Sequence, residues 1–393
     1  MMSSKEDNAK GTVYYAVSMT TMAITSIFLK DFQLCFGIAV LATSLGDGFA
    51  GIVGQAVKQK RKLYKNKTPL GTLAMLVVTV LSVLLFSKLY LIPFTFWEIF
   101  SIALLCAGVE LLSTHGLDNI FVPLSVSAFS YLLYQDILDE MKFAISLMPL
   151  LVALTLGKKK LSIGGAISAA ALDLLIAFAF GDRGFAMLIA FFAFALITDE
   201  VKKISCRTKT KGECRNVWQV LANAIFGALC ALSFLVFSHK YFLFLFVLSF
   251  AEALGDTASS GFGALAKTTV DIFHLRRVEK GESGGISLVG SLAGGFFSSV
   301  FVLLGAVLFS FDISVVLTLI FCAIGGNLFD SFLGSVVQLR YHCNVCDKIV
   351  ETPTHCNESA EYHRGIRPFD NSFVNLISVA FSIALFCLIS VGL

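Results

Sequence analysis

The sequence predicts an all-α integral membrane protein that crosses the bilayer about thirteen times. Of its 393 residues, 56% are hydrophobic and only 15% are charged, and the mean hydropathy is +0.82. Soluble domains contain about 25% charged residues. A transmembrane helix needs roughly 20 predominantly apolar residues, and many stretches reach or approach that length. The predicted spans are 11–29, 32–57, 69–87, 94–113, 119–135, 142–157, 162–180, 184–200, 216–238, 241–263, 286–309, 312–338 and 372–392.

The loops predict an orientation with the N-terminus in the cytoplasm, because cytoplasmic loops carry more Lys and Arg than outside loops do. With that orientation the Lys and Arg residues crowd into inside loops, most densely in 58–67 and 202–215. The outside loops hold only Lys30, Lys88, Lys142, Arg183 and Lys240. The opposite orientation would reverse this imbalance. An odd number of spans then places the C-terminus outside.

Three acidic residues lie at glycine-rich helix ends on the predicted cytoplasmic side. Asp47 occurs in LGDGFAGIVGQ, Asp256 in LGDTASSGFGALAK and Asp330 in GGNLFDSFLGSVVQ. Glycine pairs in membrane helices more often serve close packing than binding. An ionisable residue inside a span, however, costs roughly 2.5–3.5 kcal/mol and usually has a function. The recurrence of an acid beside glycines therefore predicts a functional site on this face.

Small and polar side chains share one helix face around two of these acids. The faces comprise Glu252, Asp256, Ser260 and Gly263 on one span and Asn327, Asp330, Gly334 and Gln338 on another. Oxygen ligands of this kind suit Mg²⁺ together with a phosphorylated ligand. Gly284 and Gly285 precede a predicted helix, where backbone N–H groups can bind phosphate. The sequence therefore predicts a site for Mg²⁺ and phosphate.

A second kind of metal site is predicted in the loop 340–371. Its ligands follow the spacing Cys343-x2-Cys346-x8-His355-Cys356, which is unusual but resembles a structural zinc knuckle, and four ligands within fourteen residues fit a closed site. The predicted cytoplasmic location disfavours a disulfide. The alternative is a set of free thiols in an ordered loop.

Several motifs resemble known families. Residues 150–393 resemble the transmembrane protein 19 and phytyl-phosphate kinase family, through RNVWQVLANAIFGAL (215–229), GDT…SSGFG (255–263), GESGGISLVGSLAGG (281–295), GGNLFDSFLGSVVQLRY (325–341) and CNVC…HC…DNSFVN (343–375). Residues 10–135 resemble the C-terminal part of phytol kinase, itself similar to dolichol kinase, through KGTVYYAVSM (10–19), GDGFAGIVGQ (46–55), KNKTPLGTLAM (65–75) and GLDNIFVPLSVSAFSYLL (116–133). The chain is therefore interpreted as a fusion of a truncated phytol kinase-like segment, 1–140, with a complete phytyl-phosphate kinase-like membrane domain, 141–393.

The resemblance implies a Mg²⁺-dependent kinase of isoprenoid salvage that uses CTP or another nucleoside triphosphate. The C-terminal part would convert a prenyl (phytyl) monophosphate to the diphosphate, and the N-terminal part would convert the prenol to the monophosphate. Asp256 and Asp330 are assigned to Mg²⁺, and Asp47 to the base that an alcohol acceptor requires. The residues assigned to nucleotide and phosphate are Lys280, Arg276, Arg277, Gly284, Gly285, Ser260, Asn327, Gln338, Lys67 and Gly71.

Two positions depart from the pattern of the transmembrane protein 19 and phytyl-phosphate kinase family. An acidic residue of that family is Gly261 here, and an Asn of its glycine-rich loop is Ser283. Glu252 is the candidate replacement for the missing carboxylate.

Two other functions use similar residues. A transporter would also contain buried acids and broken helices, but its polar residues would be distributed across the membrane depth. A lipid cytidylyltransferase would share the Mg²⁺ and nucleotide site and attack a different phosphate. The polar residues gather on one predicted face, which favours chemistry on a lipid head group at the cytoplasmic surface. The expected partners are a membrane lipid and a nucleotide, and no nucleic acid.

Overall fold

The computed structural model describes residues 2–56, 62–206, 217–278 and 284–390, and most of them are α-helical. The chain forms two compact units, Met1–Ala170 and Ala171–Leu393. The first contains α1 (Met2–Phe28), α2 (Phe32–Leu41), a π-helix (Ala42–Asp47), α3 (Gly48–Ala56), α4 (Pro69–Leu89), α5 (Phe96–Leu112), α6 (Asp118–Tyr134), a 3₁₀ turn (Asp139–Met141), α7 (Lys142–Gly157) and the start of α8 (Ile163–Cys206).

The second unit contains the rest of α8 and five more helices, together with short strands in two loops. These elements are α9 (Val217–Phe237), α10 (Tyr241–Gly263), β1 (Thr269–Asp271), β2 (Arg277–Val278), β3 (Gly285–Ile286), α11 (Leu288–Phe309), α12 (Ile313–Val336), β4 (Arg340–Cys343), β5 (Lys348–Val350), β6 (Thr354–His355), β7 (Glu358–Ser359), β8 (Glu361–Arg364) and α13 (Asn371–Ser390).

Among the described residues, nine helices are long and apolar enough to cross a membrane. They are Phe32–Ala56, Pro69–Leu89, Asp139–Gly157, Ile163–Ile204, Val217–Phe237, Tyr241–Gly263, Leu288–Phe309, Ile313–Val336 and Asn371–Ser390. The prediction of a predominantly helical chain rich in membrane-length helices is confirmed. The count of thirteen spans and the cytoplasmic N-terminus stay predictions. Helix α8 counts once, although Gly181 interrupts it with φ 65° and ψ −162°, between the predicted spans 162–180 and 184–200.

Helix starts follow capping patterns that are visible in the sequence. Thr68 caps α4 by accepting a hydrogen bond from the Gly71 N–H, and Pro69 occupies the first helical position, where proline costs no hydrogen bond. Thr95 and Glu98 form a capping box at α5, which satisfies N–H groups that the helix leaves free. These caps therefore fix the residues at which α4 and α5 begin.

Helix α10 is the central helix of the second unit and packs against α9, α11, α12 and α13. Phe246 and Phe250 of α10 and Phe301 of α11 are buried. At its other end, Gly290 and Gly294 of α11 bring the two backbones close, since a Cβ at Gly290 would lie 2.7 Å from the Ser259 carbonyl oxygen. This is the packing role that small residues usually have in membrane helices.

The first unit extends past the predicted boundary between residues 140 and 141. Helix α7 packs against α5, and a Cβ at Gly108 of α5 would lie 2.8 Å from the Leu150 backbone nitrogen. This close approach joins α7 to the unit that precedes it. The fusion itself stays a prediction.

Short strands are the feature that the all-α prediction missed. The loop between α10 and α11 forms an antiparallel sheet in the order β2-β1-β3. The loop between α12 and α13 forms the sheet β5-β4-β8 and the hairpin β6-β7. Strands of two to four residues carry too little alternation for the sequence to reveal them.

Candidate functional site

Among the described residues, acidic side chains gather in each of the two units. The first acid cluster consists of Asp47, Glu110 and Asp118, and one carboxylate oxygen from each lies within 4.8 Å of the others. Lys67 enters this cluster: its ammonium group forms an ion pair with Glu110 and another, at 3.2 Å, with Asp118. The structure therefore brings together Asp47 and Lys67, two of the predicted site residues, and adds two acids to them.

Local backbone features place Asp47. The helix formed by α2 and α3 widens into a π-helix that ends at Asp47. Such π-helical turns are uncommon and occur frequently at functional sites. Gly46, beside Asp47, is buried against α4, where a Cβ would lie 2.7 Å from the Thr79 hydroxyl oxygen.

A tight turn places Lys67. The Leu63 N–H donates to the Lys67 carbonyl, and the Lys67 N–H donates to the Tyr64 carbonyl, both at 3.0 Å. Gly157, at the end of α7, packs against this turn so closely that a Cβ would overlap the Leu63 carbonyl oxygen. The turn is thereby held against the helices that carry the acids.

Lys67 is stabilised as a cation. Burial alone would lower its pKa, but the charges of Glu110, Asp118 and Asp47 and the hydrogen bond to Glu110 raise the pKa above the ordinary lysine value. Three carboxylates around one ammonium group leave an excess of negative charge. Another cation can therefore bind there with favourable electrostatics.

The second acid cluster consists of Glu252 and Asp256 on α10 and Asp330 on α12. Asp330 interacts electrostatically with both other acids, but the three do not bring one oxygen each within 4.8 Å of one another as the first acid cluster does. Glu252 is 1% exposed, and Ser378 of α13 lies within interaction range of Glu252 and Asp330. In the described part of the chain no lysine or arginine lies within ion-pair distance of any of the three, although the charge of Lys202 acts on Asp256 from further away.

Buried polar atoms in and beside this cluster lack hydrogen-bond partners within the described residues. They are Glu252 Oε1, Asn327 Nδ2, Asp330 Oδ2 and Asn375 Oδ1. The other side-chain atom of Asn327, Oδ1, accepts a hydrogen bond from Ser259 at 3.1 Å. A buried polar atom without a partner costs about 1–3 kcal/mol, and such groups are rare unless a ligand, ion or water satisfies them. Their concentration here indicates a ligand site.

Glycines let the helices close around the second acid cluster. A Cβ at Gly255 would lie 3.0 Å from Asn327 Nδ2, and one at Gly294 would lie 3.2 Å from the same atom. A Cβ at Gly326 would lie 2.8 Å from Glu252 Cγ. Any larger residue would push the helices apart and separate the polar side chains.

Gln338 connects the end of α12 to the loop that follows. Its Nε2 donates to Glu351 Oε1 at 3.3 Å and to Asn371 Oδ1 at 3.4 Å. Glu351 interacts electrostatically with Asp256 and Asp330. The predicted residue Gln338 therefore lies at the edge of the second acid cluster, with an acid that the sequence did not single out.

The predicted phosphate residues of the loop 264–287 have varied surroundings. Lys280 lies outside the described residues. Arg276 and Arg277 are exposed. Gly285 pairs with Asp271 in the small sheet, and Gly284 has φ +77°, with no room for a Cβ beside the Ser335 backbone.

Asp271 anchors this loop and was not predicted. Burial alone would raise its pKa, but hydrogen bonds from the His274 backbone and ring, the Ser335 hydroxyl and the Phe273 N–H outweigh that effect and hold the pKa well below the ordinary aspartate value. Ser335 donates to Oδ1 at 2.6 Å and the His274 N–H at 2.7 Å. The loop is thereby tied to the end of α12.

Two other predicted residues already make local hydrogen bonds. Ser260 is exposed, and its hydroxyl donates to the Thr257 carbonyl at 3.1 Å. The Gly71 N–H donates to the Thr68 side chain at 3.2 Å. A Cβ at Gly71 would lie 3.1 Å from the Ala50 carbonyl oxygen. Their assignment to phosphate stays a prediction.

The four predicted zinc ligands lie together. One donor atom from each of Cys343, Cys346, His355 and Cys356 lies within 4.8 Å of the others. The cysteines are not in disulfides.

Of the three acids in or beside the clusters that were not predicted, one could have been found from the sequence. Glu110 interrupts the apolar run of α5 as Asp47 interrupts its own span, so the same cost argument applies to it. Asp118 begins α6, and Glu351 lies in a polar loop. Only the fold shows that these two approach the clusters.

The chain is similar to several known membrane proteins. The profile of the family described as integral membrane protein DUF92 matches residues 146–383. An uncharacterised membrane protein of Methanocaldococcus jannaschii is 30% identical over 180 residues, which cover 45% of this chain and 74% of that relative. One from Synechocystis sp. is 30% identical over 194 residues, 47% of this chain and 74% of that relative.

A named enzyme is also similar. The phytol kinase of Synechocystis sp. is 30% identical over 128 residues, which cover 31% of this chain and 53% of that enzyme. No solved structure matches the chain.

Proposed function

Since the chain belongs to the DUF92 family of integral membrane proteins, we propose that it is a Mg²⁺-dependent kinase of membrane isoprenoids. Its second unit would convert a prenyl monophosphate to the diphosphate, with CTP or another nucleoside triphosphate as donor. The similarity to a phytol kinase supports the reaction class. The nucleotide, the Mg²⁺ dependence and the lipid are our proposals.

The observation that carries the proposal is the second acid cluster. Glu252 and Asp330 each have a buried carboxylate oxygen without a partner in the described part of the chain. Buried carboxylates that repel one another are stabilised by a hard divalent cation, whose preferred ligands are carboxylate and amide oxygens. Glu252, Asp256 and Asp330 would hold Mg²⁺, which would neutralise charge on the phosphates that it contacts.

The neighbouring residues fit the handling of a phosphate. Asn327 Nδ2 is a buried donor without a partner among the described residues and would donate to a phosphate oxygen. Gln338 Nε2 would orient the nucleotide or the lipid head group from the edge of the cluster. Arg276 and Arg277 are exposed on the same loop as Gly284 and would supply positive charge to a triphosphate.

The reaction needs no strong base when the acceptor is a monophosphate. An anionic oxygen of the prenyl monophosphate attacks the γ-phosphorus and forms the new P–O bond. The bond between the γ-phosphorus and its bridging oxygen breaks, and the nucleoside diphosphate leaves with that electron pair. Catalysis then consists of positioning and charge stabilisation, which the cluster residues would supply.

The first unit would act on the alcohol in the two-step form of the proposal. An alcohol must lose its proton when its oxygen attacks the γ-phosphorus, and Asp47 would accept that proton. Lys67 would contact a phosphate oxygen, although its ammonium group already forms ion pairs with Glu110 and Asp118. The first acid cluster thus supports this step less directly than the second supports diphosphate formation.

The test uses the full-length protein purified in detergent with Mg²⁺ and CTP. Phytol and phytyl monophosphate are supplied separately, and the lipid products are identified by mass. Asp256→Asn and Asp47→Asn are measured beside the wild type. We expect diphosphate from the monophosphate, and its loss in Asp256→Asn but not in Asp47→Asn.

Other results would redirect the proposal. Monophosphate from phytol, lost in Asp47→Asn, would establish the two-step enzyme. A cytidine-linked lipid with release of pyrophosphate would identify a cytidylyltransferase. No lipid product with any nucleotide would refute the kinase and favour a transporter.

A further inference from the structure

The loop between α12 and α13 presents a second, separate donor set. We propose that Cys343, Cys346, His355 and Cys356 bind one structural Zn²⁺ ion. This inference does not depend on the proposed kinase function, because none of these residues belongs to either acid cluster.

The backbone presents the four donors from two tight turns. Cys343 ends β4, and the Asp347 N–H donates to the Cys343 carbonyl at 2.9 Å. His355 ends β6, and the next two residues, Cys356 and Asn357, have φ +53° and +63°. Two short antiparallel hairpins therefore bring one pair of donors each.

The distances among the donors fit a tetrahedral zinc ion. Zn–S bonds of about 2.3 Å and Zn–N bonds of about 2.0–2.1 Å place a sulfur and a nitrogen ligand about 3.6 Å apart. His355 Nδ1 lies 3.4 Å from Cys346 Sγ and 3.3 Å from Cys356 Sγ. These spacings are close to the edges of such a tetrahedron.

The chemistry of the donor set selects the metal. Three sulfurs and one imidazole suit Zn²⁺, whereas Mg²⁺ and Ca²⁺ prefer oxygen ligands. Four protein ligands leave no open coordination position, which is typical of structural rather than catalytic zinc. The acid clusters and this Cys/His set would therefore bind different metals in the same chain.

A zinc ion would stabilise the fold of this loop. The sheet β5-β4-β8 and the hairpin β6-β7 are built from strands of two to four residues, and such short hairpins are marginally stable alone. A metal that joins both turns would hold β5, after which Glu351 reaches Gln338.

Metal content tests the proposal on the full-length protein in detergent. We expect about one equivalent of zinc per chain by elemental analysis, with loss of at least nine-tenths of it in the double variant Cys346→Ser/His355→Ala. Cys387→Ser is the matched control, because Cys387 lies in α13 away from the cluster, and it should retain the zinc. Gel filtration shows which variants remain folded.

A spectroscopic test needs no variant. Zinc is removed from the wild type with a chelator, and Co²⁺ is added as the probe. Sulfur-ligated tetrahedral cobalt gives intense charge-transfer and visible absorption bands, and titration of Zn²⁺ should remove them. Absence of both zinc and the cobalt spectrum from folded wild-type protein would overturn the proposal, as would full zinc content in the folded double variant.

Discussion

The two acid clusters differ in how their charges are balanced. In the first acid cluster Lys67 lies among the carboxylates and pairs with Glu110 and Asp118. In the second, no lysine or arginine of the described residues forms an ion pair with the acids, and buried oxygens of Glu252 and Asp330 lack partners there. The acids of the first cluster are partly balanced by an ion pair within the protein, whereas two carboxylate oxygens of the second have no partner among the described residues.

Acidic side chains can lie close together without forming a ligand site. Acids that gather around a lysine can be explained by ion pairing alone, so their proximity is weak support for a ligand. Buried acids with unsatisfied oxygens are not explained by ion pairing, and the cost of burying a carboxylate is offset either by protonation or by a bound group. The second unit is therefore the stronger candidate for catalysis.

The largest expected effect comes from Asp330→Asn. Diphosphate formation should fall about 100- to 1,000-fold, the range for losing a group that stabilises transition-state charge. The melting temperature measured without Mg²⁺ should not fall, because the substitution removes repulsion rather than an ion pair. Asp312→Asn, at the exposed start of α12, should change neither quantity. A large loss of stability in Asp330→Asn would show that the second acid cluster is structural.

The next largest expected effect is a loss of stability when an ion pair of the first acid cluster is removed. Glu110→Gln should lower the melting temperature, because it leaves Lys67 half-buried with Asp118 as its remaining ion-pair partner. Breaking a buried pair costs about 3–5 kcal/mol. The 26% exposure of Lys67 reduces the expected loss to about 1–3 kcal/mol.

Its control is Asp139→Asn, which removes an ion pair with Lys142 whose acid is 57% exposed. That change should cost less than about 1 kcal/mol. Equal losses in both variants, measured by thermal unfolding in detergent, would show that the ion pairs of the first acid cluster stabilise the protein no more than an exposed pair does.

The smallest effect concerns the loop beside the second acid cluster. The pKa of Asp271 is lowered in the folded protein, so its contribution to stability is complete above the ordinary aspartate pKa of about 3.9 and is lost as the pH falls below that value. Asp271→Asn should cost about 1 kcal/mol at pH 7, and the difference from the wild type should shrink below about pH 4.

Thermal unfolding from pH 7 down to pH 3.5 measures this difference. Ser335→Ala removes one donor to Asp271 and should show a smaller difference with the same trend. A difference that does not change with pH would mean that the Asp271 charge has no part in fixing the loop.

Several site features follow from the sequence because they depend on local chemistry. A buried acid is costly in an apolar helix, so Asp47, Asp256 and Asp330 stand out without a structure. The spacing of Cys343, Cys346, His355 and Cys356 also indicates one ligand set, because each pair is close in the chain. The structure brings one donor atom of each within 4.8 Å of the others, and their role as ligands stays a prediction.

The sequence by itself determined a helical membrane protein, its acids and its Cys/His loop, since hydropathy and short spacings act within single elements. Only the tertiary structure decided which acids form an ion pair at short range and which do not. Glu110 and Lys67 are 43 residues apart and meet through helix packing. Whether a carboxylate is satisfied depends on the atoms that surround it in space, and the order of residues along the chain does not specify them.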